Sequence, residues 1–252
     1  VPLVYVTIGT NYPDAISLGS VAALRAAPVL LVNTDIPTET RNELIRLSPN
    51  KIIVIGGPAA VSDGVVAQLA AYSTEPVERI FGHDRYATSA QVSQSFFATG
   101  AANEVFVASG QAPWDALAAG SAAAASPGSV LLTRSTDLPT TVRNEIVRLN
   151  PSRVVVVGGL AVVSAAVEQT IRNLGFAVQR VAGVDRYDTS SRLSSRTFPT
   201  TPVPMLIATG EDYPDGLAAT SYIGARGGSL LLTRSTDLPA VITAEVARLS
   251  GR

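Results

Sequence analysis

The 252-residue chain contains no cysteine, a single lysine and a single histidine. Without cysteine it cannot form a disulfide framework, a thiolate zinc site or a cysteine nucleophile. Lysine and arginine together number 19 against 20 aspartates and glutamates, and the formal net charge is −1. A chain with this balance lacks the broad basic surface of nucleic-acid-binding proteins, so we predict no nucleic-acid partner. An anionic partner would have to meet locally placed arginines.

Long hydrophobic runs are also missing. The longest apolar runs are short, such as VVVV at residues 154–157, whereas a membrane-spanning helix needs about 20 residues. No signal peptide is visible, and because the chain opens abruptly on VPLVYVTIG we expect any export signal to lie upstream.

The sequence has no G-x-S-x-G elbow, no H-E-x-x-H zinc motif and no complete phosphate-binding loop. We therefore predict no catalytic residue, no metal site and no cofactor.

The chain does contain an internal repeat of about 101 residues. FGHDRYATSAQVS at 81–93 returns as AGVDRYDTSSRLS at 182–194, and LLTRSTDLP occurs identically at 131–139 and 231–239. Self-similarity at a fixed period indicates tandem structural units. We predict a first unit at 1–78 without a leading DRYxTS segment, a complete unit at 79–178, and a third at 179–252 without its final glycine-pair strand and helix.

Each unit alternates short apolar, β-branched runs with stretches of helical spacing. Continuous apolar strands between helices are typical of a parallel sheet covered on both faces, so we predict an α/β fold. The helical stretches AISLGSVAALRAA and ALAAGSAAAA are rich in small residues, which favours close packing against a sheet or a neighbouring unit. Ser62 and Ser164 are the predicted N-caps of the helices that follow the glycine pairs.

Two loops per unit could bind a ligand. The first strand of each unit ends in a turn that brings an aspartate to a helix start, namely Asp14, Asp115 and Asp215. Ligands gather at the carboxyl ends of parallel strands, so these carboxylates are binding candidates. Helix capping or a turn hydrogen bond is the alternative. The glycine pairs Gly56-Gly57 and Gly158-Gly159 resemble a phosphate loop, but tight backbone turning is the favoured interpretation.

The DRYxTS motif itself allows two interpretations. An arginine, an aspartate and a tyrosine can recognise sugars and acidic groups, or they can lock adjacent units together. We expect the threonine of each motif, Thr88 and Thr189, to cap the following helix. Arg134 and Arg234 in the LLTRSTDLP copies are further candidates, with a salt bridge near the helix as the simpler role. The motif candidates are Arg79, Asp84, Arg85, Tyr86, Arg180, Asp185, Arg186 and Tyr187.

Four segments resemble the cell-wall-binding repeat type 2 family in order along the chain. They are RIFGHDRYATSA (79–90), SGQAPWDALAAG (109–120), VLLT (130–133) and VVVVGGLAVVS (154–164). The resemblance implies Rossmann-like or Toprim-like α/β modules, typically three, packed around a pseudo-threefold axis. It also implies a bacterial cell-surface location beside a variable effector region. The implied partner is an anionic, teichoic-acid-like wall polysaccharide, bound non-covalently.

Three functions are compatible with these observations. The favoured one is non-catalytic anchoring, because weak sites repeated on one scaffold gain avidity for a polymer. The distinctive residues are the repeated ones, whereas His83 has Val184 as its counterpart in the second copy. A wall hydrolase or amidase-associated protein and a self-assembling surface-layer component are the alternatives. The incomplete units also suggest self-association.

Overall fold

A computed structural model of the chain describes residues 1–10 and 15–251. Strands and helices alternate along these residues, with one 3-10 turn at Ala70–Tyr72. The strands are β1 Leu3–Ile8, β2 Val29–Val32, β3 Lys51–Ile55, β4 Glu78–Ile80, β5 Glu104–Ser109, β6 Ser129–Thr133, β7 Arg153–Val157, β8 Val178–Val181, β9 Met205–Thr209 and β10 Ser229–Thr233. The helices are α1 Leu18–Leu24, α2 Thr38–Leu47, α3 Asp63–Leu69, α4 Arg85–Gln94, α5 Pro113–Ala125, α6 Thr140–Leu149, α7 Ala165–Asn173, α8 Arg186–Thr197, α9 Pro214–Ala225 and α10 Ala240–Leu249.

The strands form three parallel sheets. The first has the order β2-β1-β3-β4, the second β6-β5-β7-β8, and the third pairs β10 with β9. Equivalent residues occupy equivalent registers: Tyr5 lies between Val29 and Ile53 in the first sheet, and Phe106 holds the same place in the second. Both rings are fully buried, because helices cover both faces of each of these sheets. The predicted parallel α/β architecture is confirmed.

The small-residue helices α1, α5 and α9 pack against one another at the centre of the molecule. Gly19, Gly120 and Thr220 meet there, and a Cβ on Gly120 would lie 2.4 Å from Thr220 Cγ2. One turn further on, a Cβ on Gly224 would lie 2.8 Å from the Cβ of Ala23. At each level a larger residue on one helix is thus matched by glycine on another, as close packing requires. The three helices are related by the pseudo-threefold axis that the resemblance implied.

The chain passes from one sheet to the next inside each DRYxTS motif. Strand β4 pairs with β3 in the first sheet, whereas α4 packs on β6 and α6 of the second. Strand β8 and helix α8 repeat this pattern between the second and third sheets. Residue 79 is the first residue of the second predicted unit, yet it lies in β4 of the first sheet. The unit boundaries therefore stay a prediction.

Two cap predictions have different outcomes. Ser62 caps α3, since the Val65 amide donates to its Oγ at 3.3 Å. Ser164 stands at the N-cap of α7, but its hydroxyl makes no capping hydrogen bond.

Among the described helices, none has the length and apolarity that crossing a bilayer requires.

Candidate functional site at the interfaces between units

The aspartate of each DRYxTS motif caps the helix that follows it. The Ala87 amide donates to Asp84 Oδ1 at 2.8 Å, and the Asp188 amide donates to Asp185 Oδ1 at the same distance. The prediction that Thr88 and Thr189 are the caps is wrong. Aspartate immediately precedes the first helical residue, from where its carboxylate reaches the third amide of the helix.

Each threonine lies one turn into the helix and reaches backward. The Gly82 amide donates to Thr88 Oγ1 at 2.9 Å, and the Gly183 amide donates to Thr189 Oγ1 at 3.0 Å. These bonds fix the turn between the strand of one sheet and the helix over the next. Hydrogen bonds of this kind satisfy turn amides that would otherwise lack a partner.

The arginine and tyrosine of each motif contact the glycine that follows the next strand in the chain, β5 or β9. Arg85 Nη1 donates to the Gly110 carbonyl at 2.5 Å, and Arg186 Nη1 donates to the Gly210 carbonyl at 2.5 Å. A Cβ on Gly110 would lie 2.7 Å from Tyr86 Cε1. Glycine is therefore required at this turn by close approach of the tyrosine ring.

The serine of each motif bonds to an edge strand of a sheet. The Leu132 amide of β6 donates to Ser89 Oγ at 3.1 Å, and the Leu232 amide of β10 donates to Ser190 Oγ at 3.2 Å. Both hydroxyls are buried, so each satisfies a strand amide that water cannot reach. The side-chain hydrogen bonds of the motif thus fix the turn and the start of α4 or α8, and hold each helix on the sheet that follows it in the chain.

Arg79 and Arg180 hold the glycine-pair turns. Arg79 Nη1 donates to the Gly56 carbonyl at 2.9 Å, and Arg180 Nη1 donates to the Gly158 carbonyl at 2.6 Å. Gly56 and Gly158 have φ values of 119° and 109°, which strongly favour glycine. The tight-turn interpretation of the glycine pairs therefore agrees with the backbone.

Arg134 and Arg234 lie on the outer side of the motifs. Their guanidinium carbons are each 5.2 Å from a tyrosine ring centroid, Tyr86 for Arg134 and Tyr187 for Arg234. Each also forms the short-range salt bridge that the sequence suggested, with Asp137 and its equivalent Asp237 at 2.8 Å. Both arginine side chains remain more than two-fifths exposed, so they can still contact a ligand.

A crevice of about 330 Å³ opens where the second sheet meets α8. It lies at the carboxyl ends of parallel strands, and three predicted candidates line it: Asp115, Asp185 and Arg186. Trp114, which the sequence analysis missed, forms another wall, with the Arg186 guanidinium 4.4 Å from its ring centroid. Its signal in the sequence was that it is the only tryptophan and directly precedes Asp115.

Asp115 is the buried acid of this crevice, with 8% of its surface exposed. Burial raises the pKa of its carboxyl to about 6, although the Arg186 guanidinium and a hydrogen bond with Thr189 act in the opposite direction. Its Oδ2 faces the glycine-pair turn, where a Cβ on Gly158 would approach to 2.5 Å. The capping alternative is wrong for Asp115, since Ala112 is the N-cap of α5.

Asp215 does not share this environment, since it is exposed at the start of α9. Asp14 lies outside the described residues. The repeat counterparts of Asp185 and Arg186 are Asp84 and Arg85, between the first and second sheets, where Arg134 Nη2 lies 4.0 Å from Asp84 Oδ2.

Residues 3–66, 79–168 and 180–249 match the family described as cell wall binding domain 2 (CWB2). The chain belongs to this family. The CWB2 assignment confirms the predicted location at the cell wall and supports a cell-wall component as the partner.

Two Bacillus subtilis (strain 168) proteins are similar to this CWB2 chain. It is 29% identical to the N-acetylmuramoyl-L-alanine amidase LytC over 91% of its own length and 45% of that protein. It is 28% identical to the amidase enhancer over 90% of its own length and 30% of that protein. The chain therefore spans less than half the length of either relative.

Two Clostridium difficile proteins of known structure share the fold. Cwp6 aligns with a TM-score of 0.89 and 26% identity, over 97% of this chain and 39% of that one. Cwp8 aligns with a TM-score of 0.84 and 22% identity, over 98% of this chain and 43% of that one. The second likeness concerns the fold alone.

Proposed function

We propose that this CWB2 region anchors a larger protein to the wall by binding an anionic wall polysaccharide, with the crevice as one contact site. The observation that supports this most is the meeting of Trp114, Asp115 and Arg186 at a solvent-open edge. An indole ring offers a flat face to a sugar, and a guanidinium offers donors to a carboxylate or phosphate.

Arg186 keeps donors for such a ligand. A guanidinium carries five N–H donors in a planar fork, and the contact with the Gly210 carbonyl uses Nη1. The Trp114 ring and the Gly210 carbonyl together hold the group in one orientation. A positioned guanidinium loses less conformational entropy on binding than a mobile one.

Repetition multiplies such contacts. The first interface presents Arg134 above Tyr86, and Arg234 lies above Tyr187 in the same way. We assign these two arginines, together with Arg186, to polymer contact, and we assign Arg79 and Arg180 to holding the glycine turns. Sites that are weak singly bind a polymer tightly when several engage the same chain.

The test is co-sedimentation of the purified chain with isolated cell walls, before and after chemical removal of their anionic polymers, across a salt series. We expect binding that disappears with the polymer and weakens as salt screens exposed charges. Trp114→Ala and Arg234→Ala should weaken binding, while Arg143→Ala on the exposed side of α6 should not. Undiminished binding to stripped walls would overturn the anionic-polymer proposal.

The single tryptophan supplies a second readout. Trp114 lines the crevice, so its fluorescence should change when purified polymer is added to the folded chain. A polymer that binds without altering the fluorescence would place the contact elsewhere on the surface.

A second proposal follows from the named relatives. Because one is an amidase and the other an amidase enhancer, we propose that CWB2 regions of this type position a wall-modifying segment of the same polypeptide. Zymography of this region alone on peptidoglycan should then show no clearing. Clearing by this region would instead assign it a lytic activity of its own.

A further inference from the structure

The crevice beside Trp114 is open because an aromatic side chain of the first repeat is missing from the second. Between the first and second sheets, the Phe81 ring lies over the glycine-pair turn, and a Cβ on Gly57 would be 3.1 Å from Phe81 Cδ2. Ala182 takes the place of Phe81 in the second repeat. A Cβ on Gly159, the counterpart of Gly57, would have no described heavy atom within 4 Å. The smaller side chain thus leaves room for a ligand group above the turn.

Apolar side chains surround this room at positions where the two repeats differ. Val184 lines the crevice and is 92% exposed, and Leu160, between the lining residues Gly159 and Ala161, is 63% exposed. Together with the Trp114 wall they form a small apolar patch at the mouth, and such a patch beside a groove is typical of a binding site. The residues of the first unit at the positions of Trp114, Leu160 and Val184 are Pro13, Pro58 and His83.

The charged groups of the crevice limit what can lie against this apolar patch. Asp115 is buried, and Asp185 caps α8, so either carboxylate would repel an anionic group placed next to it. Arg186 is the cation that lines the crevice, and the Gly210 carbonyl and the Trp114 ring hold it in place. A ligand that suits all of these groups pairs its anion with Arg186 and presents a neutral polar group with an apolar substituent to the rest.

We propose that this crevice selects an acetamido sugar that carries a phosphate or carboxylate group. The acetamido methyl group packs against Leu160 and Val184, the amide N–H donates to Asp115, and the anionic group pairs with Arg186. The inference rests on the proposed wall-binding function and names the class of sugar that this crevice recognises within an anionic polymer.

The test uses the full chain and two probes that differ in one substituent. N-acetylglucosamine-6-phosphate and glucose-6-phosphate are titrated separately, and binding is followed by the fluorescence of Trp114. We expect the acetamido sugar to bind with a Kd at least about fourfold lower, which is the effect of burying one methyl group.

Two sets of variants show whether the apolar patch causes this difference. The double variant Leu160→Ser, Val184→Ser should lose most of it, and because both side chains are exposed the fold should be retained. Val147→Ser is the matched control, since Val147 is an aliphatic residue of α6 that is 52% exposed and does not line the crevice. This control should keep the full preference for the acetamido sugar.

Several results would overturn the inference without deciding the proposed function. Equal affinity for the two sugar phosphates would do so, as would a preference that survives in the double variant. Tighter binding of glucosamine-6-phosphate would assign the crevice to a free amine, and equally tight binding of uncharged N-acetylglucosamine would remove the role of Arg186. A chain that responds to none of these sugars also contradicts the inference, and co-sedimentation with walls then shows whether the polymer binds at another surface.

Discussion

Replacing Asp115 with asparagine should stabilise the protein at neutral pH. Burial raises the pKa of this carboxyl from 3.8 to about 6, so the folded state prefers the protonated form. A shift of roughly two units corresponds to about 3 kcal/mol, at 1.36 kcal/mol per unit. Well below pH 3.8 the carboxyl is neutral in both the folded and the unfolded state, so it does not lower the free energy of unfolding. Between pH 3.8 and about 6 the unfolded state has lost the proton while the folded state keeps it, so the free energy of unfolding falls as the pH rises, and it levels off above pH 6, where the charge is held in the buried crevice.

Urea denaturation of Asp115→Asn and the parent chain at two pH values measures this effect. We expect the variant to gain about 1–3 kcal/mol at pH 7.5 and less than about 1 kcal/mol at pH 4. Asp215→Asn is the matched control, because Asp215 occupies the same repeat position but is exposed. An equal gain at both pH values would refute the reasoning, since a packing change has no pH dependence, and so would a loss at pH 7.5.

Other residues make comparable predictions. Gly120→Ala should destabilise the fold by about 1–3 kcal/mol, because its Cβ would meet Thr220 Cγ2, and Thr220→Ser should remove most of that cost by deleting the methyl group while keeping the hydroxyl. Ser190→Ala should cost about 1–3 kcal/mol by leaving the buried Leu232 amide without its acceptor. Binding of an anionic polysaccharide should strengthen as pH falls through 6, and this dependence should vanish in Asp115→Asn.

Each of these has a control within the chain. Gly64→Ala should be tolerated, since only Ser62 Oγ lies near a Cβ built there, and Ser191→Ala removes an exposed hydroxyl next to Ser190. Calorimetric or urea unfolding checks the stability predictions, and co-sedimentation at pH 5 and pH 7.5 checks the last. Substitutions at residues in contact should have coupled effects on stability. If the losses in free energy of unfolding from Gly120→Ala and Thr220→Ser simply add in the double variant, the close contact between α5 and α9 is contradicted.

The sequence by itself determined the repeat, the parallel α/β units and the close packing of the central helices. These features follow from the local periodicity and the residue sizes of the sequence. Both properties are the same in each copy of the unit, whatever its neighbours in the fold. The turns at Gly56 and Gly158 belong to the same class, because their backbone conformation is a property of glycine itself. The interpretation of DRYxTS as a joint between units stays a prediction.

Only the tertiary structure decided which side chains line the crevice. Arg79 and Arg180 were predicted as candidates but donate to carbonyls of their own sheets, and no spacing along the chain reveals where a guanidinium points. Asp115 and Arg186 lie in different units and meet only because the threefold packing places α5 beside α8. The same packing removes water from Asp115 but not from its repeat equivalent Asp215. Burial, and with it the raised pKa of Asp115, depends on these neighbours from distant sequence, which the repeated motif alone does not specify.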